Sequence, residues 1–390
     1  RCKCLVIEEH ARLEILLPSE SSWRIINEND IINNSLSISS KCMDDSSFSL
    51  GGVYSAQLSA KIRLQNTDTY KVTGAKIKVY SRYSGQNDIL RGVFWVTSVS
   101  RKNDIYTISA SDSLVWLDST SYDDSSQGKN IIYDRLASER GNLGYEMSQI
   151  VNIVNELLDD ETKLQCYVDD KIINYFPSGQ GFCLLPTDMV GEFSTKNPRD
   201  YASWLAEIAC GFVYVDYSDG TSKICIGQFG EEIMNEVSID EIELDSCEIA
   251  DFTLDFKRVY TDIYDGTSGS TYNDGNGITI DISENPFKDG HWQYNDGNAM
   301  DIIDNIYDKL VGNSDKNCNG LKFRPFNLKC HCTKNFQLGQ KITLPNGQKS
   351  WVTSIKWQFR GGYTLSCAGK DTRVLYASAK RSLSALIIFI

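Results

Sequence analysis

Hydrophobic and polar residues alternate along several segments of the first 120 residues. From Ala56 to Leu64 every second residue is apolar and the residues between are polar, and Ala75–Val79 follows the same pattern. A period of two places one face of a strand on a core and the other in water. Gly92–Ser100 and Ile105–Ala110 are rich in β-branched and aromatic residues, and a polar turn joins them. This part of the chain is predicted to be antiparallel β-structure.

The periodicity changes between about residues 121 and 210. Apolar residues over Met147–Leu158 recur at spacings of three and four, which is the stripe of an amphipathic helix. A second helix is predicted with Pro198 in its first turn and with Gly211 as a left-handed cap. The strands Phe212–Val215 and Lys223–Ile226 are then expected to form a hairpin. The pattern indicates an inserted α+β region.

Strands are predicted again from about residue 245, over the segments Ile249–Phe256, Val259–Ile263 and Ile278–Ile282. The polar segment 265–277 is typical of a long surface loop. A third helix is expected over Asn298–Val311, ended by Gly312. Short strands follow to about residue 371, with a hairpin turn at Pro345-Asn346-Gly347.

Two distant stretches of the sequence resemble each other. Trp95-Val96-Thr97-Ser98-Val99 matches Trp351-Val352-Thr353-Ser354-Ile355, and similar segments precede and follow each of them in the same order. The residues that define the repeat are Gly74, Ile77, Trp95, Val96, Thr97 and Tyr106 in the first copy, and Gly339, Ile342, Trp351, Val352, Thr353 and Tyr363 in the second. The same alternation in the same strand order buries the same face. We therefore expect two copies of one antiparallel tube-like β-barrel; the alternative is that two unrelated meanders share common strand residues.

Composition narrows the classes of function. The chain has 390 residues, with 39 Lys and Arg against 52 Asp and Glu, a formal net charge of −13. This acidity argues against a surface that grips nucleic-acid phosphates or anionic lipid. No apolar run reaches the ~18 residues that span a bilayer, so no membrane anchor is expected. The 12 Cys are too sparse for a disulfide scaffold.

Candidate chemistry is scarce, and no catalytic motif is present. The three histidines, His10, His291 and His331, lie beside no plausible nucleophile in the sequence. Cys330 and Cys332 lack the spacing of a zinc site. The repeated pentapeptide Tyr-Asn-Asp-Gly-Asn is ordinary turn chemistry and does not match a calcium loop. We expect no catalytic residue, no metal and no cofactor, although the many carboxylates leave a glycosidase-like pair open.

Several segments carry a resemblance to a known family. Residues 52–58, 74–77 and 92–96, together with 197–213 and the strand-turn-strand that follows, resemble the N-terminal hub region of tail-associated proteins of long-tailed phages of Gram-positive hosts. Hubs of phage-tail-like contractile particles are similar. The resemblance covers about residues 20 to 372 and consists of fold patterns rather than catalytic signatures.

The resemblance implies a non-enzymatic structural protein of the virion baseplate or tail tip, assembled in the host cytoplasm. Such hubs have two tube-like barrels per chain, and three chains form a ring that adapts a sixfold tail tube to a threefold tip. The implied partners are two further copies, a tail tube or distal tail protein, and a tip, spike or fibre protein. DNA is expected to pass through the lumen without specific binding, because negative walls repel phosphates.

The resulting fold class is mainly β with an inserted α+β region. The expected parts are a first barrel (1–120), a helical insertion with a helix-plus-hairpin unit (121–244), a second barrel with one helix (245–372) and a C-terminal connector (373–390). Two other functions remain open: a secreted two-domain β-sandwich adhesin or carbohydrate-binding protein, and a cell-wall hydrolase.

Overall fold

The computed structural model describes most of the chain, and the structural statements below concern these residues. The described ranges are 8–44, 48–64, 69–118, 123–124, 129–130, 143–155, 158, 163–169, 197–218, 220–229, 236–250, 254–260, 278–282, 285, 291–293, 299–312, 314 and 320–368.

Strands dominate the described part. In chain order they are β1 (Glu9–Leu16), β2 (Arg24–Ile26), β3 (Ser37–Lys41), β4 (Gly52–Val53), β5 (Gln57–Arg63), β6 (Lys76–Tyr83), β7 (Ile89–Lys102), β8 (Ile105–Ser111), β9 (Asp123–Asp124), β10 (Lys129–Asn130), β11 (Gln165–Val168), β12 (Gly211–Asp216), β13 (Lys223–Gln228), β14 (Val237–Ser238), β15 (Leu244–Ile249), β16 (Leu254–Tyr260), β17 (Ile278–Asp281), β18 (His291–Gln293), β19 (Ala299–Asp301), β20 (Lys322–Phe323), β21 (Phe326–Cys330), β22 (Lys341–Thr343), β23 (Lys349–Trp351), β24 (Ser354–Gln358) and β25 (Gly362–Cys367).

Helices are fewer. The α-helices are α1 (Thr69–Val72), α2 (Leu143–Asn155), α3 (Pro198–Ile208) and α4 (Ile302–Val311), and short 3₁₀ turns occupy Glu28–Asp30, Ser113–Asp118 and Glu241–Glu243. The described part is therefore mainly β, as the sequence predicts.

Eleven strands form one sheet that runs through both ends of the sequence. Its order is β15-β21-β25-β24-β3-β5-β8-β7-β6-β1-β2, and all neighbours in it are antiparallel. The alternation predicted in the first segment is present, since β5 buries every second residue. Leu58, Ala60 and Ile62 point into the core, which also receives residues from the second half.

The insertion packs a second sheet of order β11-β13-β12-β4 against helices α2 and α3. Helix α3 begins as predicted, with Pro198 in its first turn. Asn197 and Asp200 form a capping box, in which each side chain accepts a hydrogen bond from the other residue's backbone N–H. Tyr201, Leu205 and other apolar residues of α3 are buried against the core.

The expectation that Gly211 forms the left-handed cap of this helix is wrong. Cys210 takes the left-handed conformation, with φ +55°. Gly211 is instead the first residue of β12, where a Cβ would lie 1.8 Å from the carbonyl oxygen of Gly227. The glycine is needed for close approach of two strands rather than for its φ angle.

Some further boundaries differ from the sequence prediction. Separate strands are predicted over Ile249–Phe256 and Val259–Ile263, whereas β15 ends at Ile249 and β16 is continuous from Leu254 to Tyr260. Residues 251–253 and 261–263 lie outside the described residues. The helix predicted from Asn298 begins at Ile302, because residues 299–301 pair as β19 with β18. Strand pairing across the chain decides these boundaries, and local periodicity does not encode it.

Other predicted features are confirmed. Gly312 ends α4 with φ +101°, and its N–H donates to the carbonyl of Asp308. The hairpin at Pro345-Asn346-Gly347 joins β22 to β23. The loop 265–277, the two Tyr-Asn-Asp-Gly-Asn segments and the connector 373–390 lie outside the described residues.

The main sheet stays open along the strands that the structure describes: β15 and β2 are its two edges, and no strand pairing joins them. The two expected barrels are thus not seen as two closed cylinders. Instead, strands from both ends of the chain share one sheet.

Candidate functional site

Lys76 and Lys341 hold the same position opposite a tryptophan. Lys76 pairs with Trp95 between β6 and β7, and Lys341 pairs with Trp351 between β22 and β23. The ammonium group lies over the indole ring at 5.4 Å from its centroid in the first pair and 5.6 Å in the second. Both pairs satisfy the geometry of a cation–π contact.

The turn that enters each of these strands is also shared. Gly74 and Gly339 have φ +78° and +75°, a conformation that favours glycine. The N–H of Gly74 donates to the carbonyl oxygen of Val96 at 2.9 Å, and that of Gly339 donates to Val352 at 2.7 Å. In return the N–H groups of Val96 and Val352 donate to residues 75 and 340, each at 2.9 Å.

A threonine interrupts the ladder at the same place in each segment. The pairing of β7 with β8 shifts register between Val96 and Ser98, which leaves Thr97 as the extra residue. In the other segment residues 352–353 separate β23 from β24. Thr97 Oγ1 donates to the carbonyl of Ser109, and Thr353 Oγ1 donates to that of Ser366, both at 3.2 Å.

The hairpins that follow have matching registers. Val99 pairs with Ile108 between β7 and β8, and Ile355 pairs with Leu365 between β24 and β25. A third strand continues each hairpin: β5 pairs with β8, and β21 pairs with β25. Next comes β3 beside β5 and β15 beside β21. We call each set of these strands a strand unit: unit 1 is β3, β5, β6, β7 and β8, and unit 2 is β15, β21, β22, β23, β24 and β25.

The predicted repeat residues lie in the strands of these units or in the short segments that adjoin those strands. Most of them are buried: Ile77, Trp95, Val96, Tyr106, Ile342, Trp351, Val352, Thr353 and Tyr363. Thr97 is exposed. Burial raises the pKa of Tyr363 to about 12, so its hydroxyl is protonated at neutral pH.

The units differ at their outer strand. In unit 1, β6 is eight residues long and pairs with β1 in antiparallel orientation. In unit 2, β22 has three residues and pairs with β14 in parallel orientation. β7 is continuous over 14 residues, whereas its counterpart is divided into β23 and β24. The likeness therefore covers the central strands and not the flanking ones.

A strand junction joins the two units within the chain. β24 of unit 2 pairs with β3 of unit 1, with Trp357 opposite Ile38 and Gln358 opposite Ser37. The N–H of Phe359 donates to the carbonyl oxygen of Leu36 at 3.0 Å, and the N–H of Cys42 donates to that of Thr353 at 3.0 Å. The units are thus connected edge to edge.

Arg91 and Glu9 strengthen this junction through side chains. The guanidinium of Arg91 donates to Asn335 Oδ1 and to the hydroxyl of Tyr363, and it lies 5.3 Å from the ring centroid of Trp357. Glu9 is buried and accepts hydrogen bonds from Trp357 Nε1 at 3.0 Å and from the N–H of Arg360 at 2.8 Å.

Arg199 ties helix α3 to the segments that precede β5 and follow β8 of unit 1. Its guanidinium donates to both carboxylate oxygens of Asp118 and to the carbonyl oxygens of Val53 and Leu114. This is the fork geometry that a guanidinium offers and an ammonium does not. This one side chain, through several partners, helps to hold the inserted region against the first 120 residues, as does the pairing of β12 with β4.

Asp112 is a buried carboxyl group beside this contact. Its Oδ1 accepts the N–H of Leu114 at 3.1 Å. Burial raises the pKa of Asp112 to about 7, while backbone N–H groups and the charge of Arg199 act in the opposite direction. The carboxyl lines a cleft of about 650 Å³ between the sheet and the inserted region, with Tyr54 and Tyr217 among its other walls.

Besides β2, two strands of the main sheet have an unpaired backbone edge among the described residues. Beyond Val96, β7 pairs there with β8 only, and its residues Ser98, Ser100, Arg101 and Lys102 are exposed. The outer edge of β15 ends the sheet, and Asp245, Ser246 and Glu248 on it are exposed. An open edge presents unpaired N–H and C=O groups to a further strand.

Few features of the described residues indicate catalysis or metal binding. No group of three or more His, Cys, Asp or Glu side chains converges there in a way that would hold a metal ion. Cys330 and Cys332 are buried, and all eight described cysteines are free thiols. Of the three histidines in the sequence, the ring of His10 lies 3.0 Å from the carboxylate of Glu28, and that of His331 lies 3.0 Å from the carboxylate of Asp245. No helix in the described ranges has the length and apolarity to cross a bilayer.

Sequence reasoning misses the buried Asp112 and the residues that join the parts: Glu9, Arg91 and Arg199. These last three act on partners distant in sequence, so no spacing marks them. The capping signal before Pro198 is the one local clue, because it places Arg199 in the first turn of a helix.

Comparisons with known proteins give weak similarity. No protein-family model matches the sequence, and no curated protein matches it. Among solved structures, the 43 kDa tail protein of prophage MuSo2 from Shewanella oneidensis has a TM-score of 0.46 at 10% identity, over 91% of this chain and 97% of that one. The E. coli c3393 protein, a type VI secretion component described as similar to T4 tail proteins gp27 and gp5, has a TM-score of 0.41 at 8% identity, over 92% and 77%.

A chain of the p2 virion baseplate in its activated conformation has a TM-score of 0.31 at 9% identity, over 91% of this chain and 98% of that one. At these values the comparisons assign the chain neither to a family nor to a function.

Proposed function

We propose that this protein is a structural hub of a phage tail or of a related tail-like particle, located at the baseplate or tail tip. Three copies form a ring that carries six strand units, and the ring matches a sixfold tail tube to a threefold tip, spike or fibre. The protein catalyses no reaction in this role. Its partners are other copies of itself and the proteins above and below it.

One observation carries the proposal: a single chain holds two strand units whose central strands have the same pairings, joined edge to edge. Lys76 with Trp95 and Lys341 with Trp351 have the same register and nearly the same cation–π distance. Two like units per chain are what a threefold ring needs in order to present six like positions. The sequence resemblance to tail hubs points to the same role.

The remaining features are compatible with a channel for DNA. The chain carries a net charge of −13, and a surface of this sign repels phosphates at short range. In the proposed ring, residues 1–120 and 245–372 form the tube-like parts, 121–244 forms the helical insertion, and 373–390 connects to the tip. DNA passes without a specific site.

The test is the mass and symmetry of the purified protein. Three copies of 43.9 kDa give about 132 kDa, which light scattering coupled to size exclusion measures directly. Class averages from electron microscopy are expected to be rings with threefold symmetry and six similar lobes. A protein that stays monomeric at concentrations of about 100 μM, well above the dissociation constants of stable assemblies, would overturn the proposal.

Two simpler experiments distinguish a hub from the two other functions that the sequence leaves open, an adhesin and a cell-wall hydrolase. An adhesin held by disulfides would show few free thiols after denaturation without reductant, whereas a hub from a reducing compartment shows nearly all of them. A cell-wall hydrolase would clear a zymogram of Gram-positive walls, and a hub leaves it intact.

A further inference from the structure

The open edges of β7 and β15 belong to strands that correspond to the two partners of the junction inside the chain. Within the repeat, β7 from Ser98 to Lys102 corresponds to β24, and β15 corresponds to β3. β24 and β3 are paired with each other. Their counterparts in the other unit, β7 and β15, lie in the same sheet with their outer edges unpaired in the described part.

The registers of the repeat fix which residues correspond. Ala110 and Cys367 hold the same place in the last strands of the two hairpins, and they pair with Leu58 and Phe326. Leu58 and Phe326 in turn lie beside Ile38 and Ile249. Ser37 therefore corresponds to Glu248. On the other side of the junction, the register of the hairpins makes Trp357 correspond to Arg101 and Gln358 to Lys102.

We propose that β7 of one copy pairs antiparallel with β15 of a second copy, in the register that β24 and β3 use within the chain. This inference rests on the hub function proposed above and specifies the contact between its copies. The counterpart of the pair Trp357–Ile38 within the chain is Arg101 opposite Ile249 of the second copy. Gln358 opposite Ser37 becomes Lys102 opposite Glu248.

The directions of the backbone groups agree with this pairing. The N–H of Phe359 points across the junction to Leu36, so by alternation Trp357 also faces β3 and Gln358 faces away. On β15, the N–H of Ala250 donates inward to the carbonyl of Pro325, so Ile249 faces outward. Arg101 and Ile249 therefore form the hydrogen-bonded pair.

Charge supports the same partner. The exposed residues at the end of β7 include Arg101 and Lys102, and those of β15 include Asp245 and Glu248. Residues directly opposite in an antiparallel pair project to the same face, and opposite charges there stabilise the pair. A basic edge that meets an acidic edge on an otherwise identical copy gives a head-to-tail contact, which is the type that builds rings.

The position of Lys102 opposite Glu248 is a non-hydrogen-bonded pair, in which the Cα atoms approach to ~4.5 Å, a separation that a disulfide spans. The test is the double variant Lys102→Cys/Glu248→Cys, oxidised mildly and run without reductant. We expect covalent dimers and trimers, with peptide mapping that links positions 102 and 248.

Two matched controls accompany it. Gln358→Cys/Ser37→Cys occupies the corresponding positions inside one chain, so it forms an intrachain bridge and no higher mass. Lys102→Cys/Asp245→Cys is three residues out of register and is expected to give no more cross-link than Lys102→Cys alone. The single variant also accounts for the native Cys247 beside Glu248.

Charge reversal gives an independent readout without oxidation. Lys102→Glu and Glu248→Lys each place like charges opposite one another, and we expect the concentration at which the oligomer dissociates to rise ~5-fold or more. The double reversal Lys102→Glu/Glu248→Lys restores the attraction and returns this concentration towards that of the unmodified protein.

The outcomes separate this inference from the proposed function. If the protein is a trimer and the intrachain control forms its bridge, but positions 102 and 248 do not link and the reversals have no effect, the register is wrong and the hub function stands. If the unmodified protein is a monomer throughout, both fail.

Discussion

Trp357 donates its indole N–H to a carboxylate oxygen of Glu9 at 3.0 Å, although 348 residues separate them. Glu9 lies in the first described strand and Trp357 in the strand that joins the two units. Because the second carboxylate oxygen accepts the N–H of Arg360, one buried side chain fixes the start of the sheet against the β24–β25 turn.

Removing this carboxylate is expected to destabilise the fold. Glu9→Ala leaves the buried indole N–H of Trp357 and the partly buried N–H of Arg360 without an acceptor, which costs about 1–3 kcal/mol. The free energy of unfolding from urea titration measures the loss. Glu8→Ala is the matched control, because the Glu8 side chain is 68% exposed, and a change of less than about 0.5 kcal/mol is expected there. Equal losses in the two variants would contradict the role of Glu9.

The two repeat glycines are expected to tolerate alanine unequally. Both have positive φ, so alanine costs about 1–2 kcal/mol at either position. A Cβ on Gly339 would also lie 2.7 Å from the ring of Phe212, whereas one on Gly74 meets only Pro18 at 3.8 Å. Gly339→Ala should therefore lower the midpoint of denaturation more than Gly74→Ala. The reverse order would show that the Phe212 ring yields without cost.

Arg199→Lys tests the contact between helix α3 and the segments that flank β5 and β8 of unit 1. An ammonium cannot serve both oxygens of Asp118 and two carbonyls in the fixed fork of a guanidinium. We expect a loss of about 2 kcal/mol in the free energy of unfolding. Arg63→Lys is the control, since Arg63 is exposed and lies 3.9 Å from Asp104. Unchanged stability of Arg199→Lys would show that the contact is dispensable.

Asp112 is expected to make stability fall as the pH rises. Its pKa is raised to about 7 in the folded protein, above the ~3.9 of an unfolded chain. The folded state therefore holds a proton that the unfolded state releases. The stabilisation is complete below about pH 4 and is lost by pH 7, with a total of up to about 4 kcal/mol.

The measurement compares unfolding free energies of the unmodified protein and Asp112→Asn at several values between pH 4 and 8. The difference between them should grow in favour of Asn with rising pH. A difference that is independent of pH would mean that Asp112 ionises normally.

Local pattern predicts the strands and helices of this protein well where the pattern is strong. The alternation around Leu58 and Ile62 gives β5, and the turn at Gly347 gives the β22–β23 hairpin. Where the pattern is weak or conflicting, the predicted boundaries are wrong. Residues 299–301, expected in the first turn of the third helix, form β19 instead because their backbone pairs with β18.

The sequence does not show how the two strand units pair with each other. The repeat indicates that two segments resemble each other, but nothing in residues 37–41 marks them as the partner of residues 354–358. The same holds for Glu9, whose only sequence feature is a carboxylate at the start of an alternating strand. Such contacts depend on how the sheet curves, and curvature is a property of the whole set of strands.

The junction between β3 and β24 also has a consequence for biosynthesis. Cys42 donates hydrogen bonds to the carbonyl oxygen of Thr353, which lies 311 residues further along the sequence. Because translation adds ~5–20 residues per second, the two residues are synthesised roughly 15–60 s apart. During that interval the nascent amino-terminal half waits at the ribosome without its neighbouring strand. Prematurely terminated products that stop before Ser354 would retain this defect permanently, and they would be substrates for chaperones and proteases.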